Sequence, residues 1–279
     1  MPLWRRSNRP ARLRLANRPV ASSFHLWWRF PPGAASAPFV EVSATCEVVV
    51  PPAVDSLYFW ALQVGFGDGH DDRGAGHTGL QWHGHGARRR AVNWGGYRAE
   101  RDGGGELRGS VSQLGRLDQN GNTVAYPWEP GRRYRFRIAR AGNDADNGAG
   151  DGDGDRRWRS TVTDLTAGES TVIRDLYAPG QHLVSPVVWS EVFAGCDAPS
   201  VMVRWSGLEA RTAAGDVLRP AALSVTYQDE AAGGCENTDV GADDLGVTQT
   251  TNTARQIRAG AEVRYPAARQ LEEGSADSA

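Results

Sequence analysis

The segment Trp128–Ile138, WEPGRRYRFRI, alternates apolar and basic residues directly after a Pro-Gly turn. Tyr134, Phe136 and Ile138 fall on one side; Arg133, Arg135 and Arg137 fall on the other. Only extended backbone sends successive side chains to opposite faces, so this is a strand with one buried face. Residues 156–165 repeat the pattern, with Trp158 and Val162 opposite Arg157, Arg159, Thr161 and Thr163. The two segments read as one hairpin whose tip is the Asp/Gly tract at 143–155.

Further strands are expected at 25–30, 39–50, 57–66, 89–94, 105–115, 171–175, 182–193, 200–205 and 221–228, with two short ones beyond 245. The segment 57–66, LYFWALQVGF, is apolar on both faces, as a central covered strand would be. No segment of ten or more residues combines a 3.6-residue period with helix caps. Many short strands separated by turn signals specify an all-β sandwich or barrel. The 279-residue length and the ten Trp favour a two-sheet antiparallel jelly-roll of concanavalin-like build. The expected organisation is an Arg-rich disordered tail over 1–22 and a sandwich over 23–230. A Gly/Asp/Thr-rich extension over 231–279, with one or two short strands and a disordered end, would follow.

Composition narrows the partners. A formal net charge of −2 gives no argument for nucleic-acid binding or attraction to a membrane surface. No stretch approaches the ~20 apolar residues of a membrane-spanning helix. Six Arg in the first twenty residues look like the charged part of a signal peptide, but the apolar run that should follow is missing. All 31 basic residues are Arg, which reads as codon bias. Cys46 shares a face with Val42, Ala44 and Val48 and is expected as a small buried hydrophobe. Cys196 and Cys235 lie in turn-like surroundings and can pair in an oxidising compartment.

Several of these pieces resemble an uncharacterised bacterial family of concanavalin-like β-sandwich domains, most of them extracellular. The resemblance rests on Gly65-Phe66, on Gly79-Leu80-Gln81, on Trp128 to Phe136 and on Glu191-Val192-Phe193, and covers roughly 24 to 210. It implies the fold and an extracellular location, and supports a carbohydrate-related role by association only. The segment 67–77 reads as an insertion relative to that family.

The stretch 69–86, GHDDRGAGHTGLQWHGHG, holds four of the six histidines. As a strand it would place His77, Gln81, His83 and His85 on one face, and Leu80 and Trp82 on the other. Candidate metal ligands are His83, His85, Asp71 and Asp72, because imidazole and carboxylate suit transition metals. The following three arginines oppose a dication there, and a polar strand edge feeding a ligand face is the stronger expectation. The Asp/Gly tract does not match a calcium loop, since the position that needs Glu holds Val162.

Catalytic motifs are sparse. Glu191 stands out, in phase with Val187, Trp189 and Phe193 on an apolar strand face. A carboxylate there must find a partner or shift its pKa; an ion pair with Arg204 is the structural alternative. The leading expectation is a non-catalytic carbohydrate-binding protein offering Gln81, His83, Trp94 and Tyr97, with no metal or cofactor. A glycoside hydrolase or polysaccharide lyase using Glu191 and His83 is the second reading. A structural or interaction protein of the cell surface is the third.

Overall fold

The computed structural model describes residues 20–34, 38–68, 71–84, 89–110, 121–141 and 155–265. The expected tail over 1–22, the Asp/Gly tip and the C-terminal end lie largely or wholly outside the described residues. Sixteen strands and two single-turn 3₁₀ segments make up the described secondary structure, and every strand pairing is antiparallel.

The front layer is built from β1 (Ser22–Arg29), β3 (Tyr58–Asp68), β4 (Asp71–Trp82), β5 (Arg90–Arg98), β6 (Thr123–Ala125), β10 (His182–Val192), β13 (Ala222–Tyr227) and β16 (Glu262–Arg264). Its hydrogen-bonded order is β6-β5-β4-β3-β10-β1-β13-β16. The back layer contains β2 (Phe39–Val50), β7 (Arg133–Arg140), β8 (Arg156–Asp164), β9 (Glu169–Ala178), β11 (Met202–Thr212), β14 (Thr238–Asp243) and β15 (Gly246–Thr251). Its order is β14-β15-β11-β2-β7-β8-β9, with β12 (Val217–Leu218) at the far end of β11. A single pairing, Leu183 with Phe39, joins the layers along one edge. The architecture is the expected all-β sandwich.

One core fills the space between the layers. Trp60, Leu62, Phe66, Leu80, Val92 and Trp94 face inward from the front, and Val42, Cys46, Phe136, Trp158 and Trp205 from the back. The rings of Phe66 and Trp158 meet at 5.8 Å, and Ser160 Oγ donates to Thr78 Oγ1 at 2.8 Å. The hairpin read from the sequence is β7–β8, in register from Tyr134–Asp164 to Arg140–Trp158. Its outer arginines meet carboxylates of the back layer: Arg137 with Glu41 on β2 and Arg159 with Asp175 on β9, each one strand away, and Arg135 with Glu209 on β11, two strands away. These partners offset the repulsion that like charges facing across strands would cause.

Three segments bear on the expectations. Residues 71–82, which include most of the segment 67–77 read as an insertion, form a strand that is the full-length partner of β3, paired from Asp68–Asp71 to Tyr58–Trp82. Residues 105–110 form no strand, only bridges from Glu106 to Tyr97 and from Arg108 to Tyr177. Beyond residue 230, β14 and β15 extend the back layer and β16 pairs with β13 at the edge of the front layer. The Cys196–Cys235 disulfide ties this C-terminal part to the turn after β10. Across a separation of 39 residues, chain-entropy reasoning gives about 4 kcal/mol of stabilisation.

Candidate functional site

The outer face of the front layer holds a cavity of about 310 Å³. Its floor follows from strand register, because residues directly opposite on neighbouring strands point to the same side. One row crosses Ser23, Glu191, Phe59, Gln81 and Ala91. The next crosses His25, Trp189, Ala61, Gly79, Asn93 and Thr123. A third crosses Trp27, Val187, Gln63, His77 and Gly95.

The middle row explains the hollow. Ala61 and Gly79 supply almost no side chain at its centre, while Trp189 and Asn93 stand on either side. A Cβ on Gly79 would lie 1.8 Å from the Trp60 carbonyl oxygen, so only glycine fits this close strand approach. Around the hollow, Trp189 meets Phe59 at 4.9 Å, His77 at 5.8 Å and His25 at 6.1 Å, all ring centroid distances. This ledge is a small apolar cluster on the outer side of the sheet, separate from the main core.

The polar groups around that ledge are selectively satisfied. Trp189 Nε1 donates to Gln63 Oε1 at 3.1 Å. Thr123 Oγ1 donates to Gln81 Oε1 at 3.0 Å. Both amides are thereby held by their oxygens, and neither Nε2 has a hydrogen-bond partner among the described residues. Glu191 is half-buried, and its carboxyl has no hydrogen bond or ion pair there either. Arg204 pairs instead with Glu47 and Asp243. Burial without a compensating charge pushes the Glu191 carboxyl up to about 7. Burial pushes His77 down to about 4, and His25 in the same direction. Both imidazoles are therefore neutral near neutral pH, and none of the lining residues is Arg.

Of the sequence candidates, Gln81, Tyr97 and Glu191 line the cavity. Trp94 does not. It is fully buried and faces the core beside Val92, because Asn93, Gly95 and Tyr97 occupy the alternate, outward positions of β5. His83 follows the last residue of β4 and is not among the lining residues; its main chain bonds to Arg89. The enzymatic pairing of His83 with Glu191 is therefore corrected: the histidines beside Glu191 are His25 and His77. No group of three or more metal-ligating side chains occurs among the described residues. His85 lies outside those residues, as does the side chain of Asp71, and Asp72 Oδ1 accepts from the Gly74 backbone N–H. Gln63, Asn93 and Thr123 were missed. The available signal was phase: once Gln81 is assigned to the ligand side, alternate residues of each paired strand follow it.

No family model matches the chain, and no curated protein matches it. Among solved structures, the fold is similar to Scytalido-glutamic peptidase bound to a peptide-based transition state analog. That match has a TM-score of 0.43 and 11% identity, and covers 84% of this chain and 100% of that one. The same peptidase with a transition state analog inhibitor matches at 0.43 and 14% identity, covering 83% and 98%. SCP-B, a member of the Eqolisin family of peptidases in complex with the tripeptide Ala-Ile-His, matches at 0.42 and 12%, covering 83% and 98%.

The expectation of a non-catalytic carbohydrate-binding protein is overturned. The platform meant to stack on sugar rings loses Trp94 to the core and keeps an unpaired carboxyl at its centre. Among the described residues Glu191 is the only carboxyl lining the cavity, where glycoside hydrolysis needs two.

Proposed function

We propose that this chain hydrolyses amide bonds in peptides, with Glu191 as general base and then general acid, and Gln81 as the donor to the oxyanion. The observation that carries the reading is the row Glu191–Phe59–Gln81. It sets an unpaired carboxyl and an unpaired amide donor across the floor of one cavity, with no second carboxyl among the described lining residues. Two strand spacings separate their backbones by roughly 10 Å, room for a water and a scissile carbonyl between the side chains.

The Glu191 carboxylate takes a proton from that water as its oxygen attacks the carbonyl carbon. Gln81 Nε2 donates to the oxygen on which negative charge develops, where a preorganised donor is worth most. The protonated Glu191 then gives its proton to the leaving nitrogen as the C–N bond breaks. A base titrating near the working pH balances proton affinity against availability, so turnover rises with pH up to about 7. The ledge of Trp189, Phe59 and Trp27 offers apolar surface for substrate side chains beside the cleaved bond. An extracellular location belongs to the same proposal; the Cys196–Cys235 disulfide supports it.

The test is a quenched-fluorescent peptide library incubated with the full chain between pH 4 and 9, beside the Glu191→Gln variant. Cleavage that disappears in the variant supports the reading. Cleavage that survives it, or an intact library with the wild-type chain, overturns it.

A further inference from the structure

Asn93 is 2% exposed, and its Oδ1 is buried with no hydrogen-bond partner among the described residues. Its Nδ2 donates to Thr123 Oγ1 at 3.3 Å, and the same hydroxyl donates to Gln81 Oε1 at 3.0 Å. A hydroxyl has one proton to give, so the chain Asn93–Thr123–Gln81 has a direction. In the observed direction Thr123 occupies the oxygen of Gln81 and leaves its amide nitrogen for the cavity. In the reverse direction Gln81 would give its Nε2 to Thr123 and turn Oε1 toward the cavity. An acceptor in that position would repel a developing oxyanion.

An orphaned buried carbonyl costs roughly 1–3 kcal/mol, and such groups in folded proteins call for an explanation. Gln249, buried on β15, shows that this sandwich can satisfy a buried amide at both its oxygen and its nitrogen. Thr123 also sits on β6, a three-residue strand at the front-layer edge, paired to β5 only through Ala91, Val92 and Asn93. So short an edge strand adds little to sheet stability, but it delivers one hydroxyl to Gln81.

We infer that Thr123, oriented by Asn93, is a positioning residue that fixes the Gln81 amide as a hydrogen-bond donor into the cavity. The inference rests on the hydrolase reading for its consequence, but its geometry can be read without turnover.

The experiment uses the full chain and three variants: Thr123→Val, Thr123→Ser and Asn93→Asp. Asn93→Asp is nearly isosteric and puts a carboxylate where the Thr123 hydroxyl will donate, drawing the proton away from Gln81. The first readout is the Gln81 side-chain NH₂ signal in ¹H–¹⁵N spectra, assigned by its loss in Gln81→Ala. It shifts or broadens in Thr123→Val and Asn93→Asp and returns in Thr123→Ser. The second readout is peptide turnover. Thr123→Val and Asn93→Asp lower kcat by roughly 10- to 100-fold, the scale of a misplaced donor; KM stays within about twofold, and Thr123→Ser restores kcat. A Gln81 signal unmoved by Thr123→Val and Asn93→Asp overturns the inference whatever the activity. A wild-type kcat in both variants does the same. A signal that moves as expected in a chain that cleaves no peptide upholds the positioning and sinks the hydrolase reading alone.

Discussion

Two buried glutamines, Gln249 and Gln81, are treated in opposite ways by the same sandwich. Gln249, on β15, is 1% exposed and bonded at both its oxygen and its nitrogen. Ser190 Oγ and Trp205 Nε1 both donate to its Oε1 at 2.9 Å, and its Nε2 donates to the Phe24 carbonyl at 2.8 Å. That side chain links strands of both layers through the core. Gln81, on β4, is 3% exposed, yet only its oxygen is occupied, and the nitrogen is left for the cavity. The contrast recurs within one strand. Ser190 points inward to Gln249, while the next residue, Glu191, points outward and has no partner. A satisfied buried amide specifies packing; an unsatisfied one beside an unpaired carboxyl is affinity held in reserve for a ligand.

The sharpest way to separate the two regions is to remove the charge from one and the hydrogen bonds from the other. Glu191→Gln should lower peptide turnover by about 10²- to 10⁴-fold, the usual contribution of a general acid–base group, without lowering the urea midpoint at pH 8. Gln249→Leu should do the reverse. It strands the Trp205 N–H, the Ser190 hydroxyl and the Phe24 carbonyl, at a cost of about 3 kcal/mol or more, while the chain that remains folded keeps its kcat. A Gln249→Leu chain as stable as wild type would show that the core amide is not structural and dissolve the comparison.

A smaller effect appears in stability against pH. The Glu191 pKa is raised from 4.5 to about 7 on folding, so the folded state holds its proton more tightly than the unfolded chain does. Relative to a neutral side chain, stability is undiminished below about pH 4.5 and falls as pH rises through about 7. The fall approaches 3 kcal/mol at most. His77, lowered from 6.5 to about 4, works the other way: its contribution is present above 6.5 and lost as pH falls toward 4. The stability difference between Glu191→Gln and wild type isolates the first term. It should be near zero at pH 4 and grow in favour of the variant up to pH 8; a pH-independent difference would mean that Glu191 finds a partner in solution.

Much of this was legible in period-two patterning. The β7–β8 hairpin, the burial of Cys46 and the phase of Glu191 with Trp189 all follow from alternation in single segments. What alternation could not give is which of two apolar faces is covered by the second layer. On β5 both phases are acceptable: Val92 and Trp94 on one side, Asn93 and Tyr97 on the other. Placing Trp94 on the ligand side follows the stacking of exposed tryptophan on sugars, but a side chain of that size is worth more inside. The pairing of β10 with β3 and β1 joins residues more than a hundred positions apart, and no local pattern encodes that neighbourhood. Gln63 and Asn93 became visible as site residues only once that register was known. His83 failed for a simpler reason, since β4 ends one residue before it.

The weakest expected effect lies at the rim. Tyr97 is 41% exposed and outward-facing, and it survives from the original ligand face. Its ring stands in the row beyond His77, Gln63 and Gly95, away from the Glu191–Gln81 row. A residue so placed can contribute apolar contact to an extended substrate but cannot touch the reacting atoms. Tyr97→Ala should therefore raise KM by roughly 3- to 10-fold, the range of one partly buried aromatic contact. It should leave kcat and the urea midpoint unchanged. A kcat loss as deep as that of Glu191→Gln would place the chemistry at the opposite end of the cavity, and with it the division between a satisfied core and a reserved site would have to be redrawn around Tyr97.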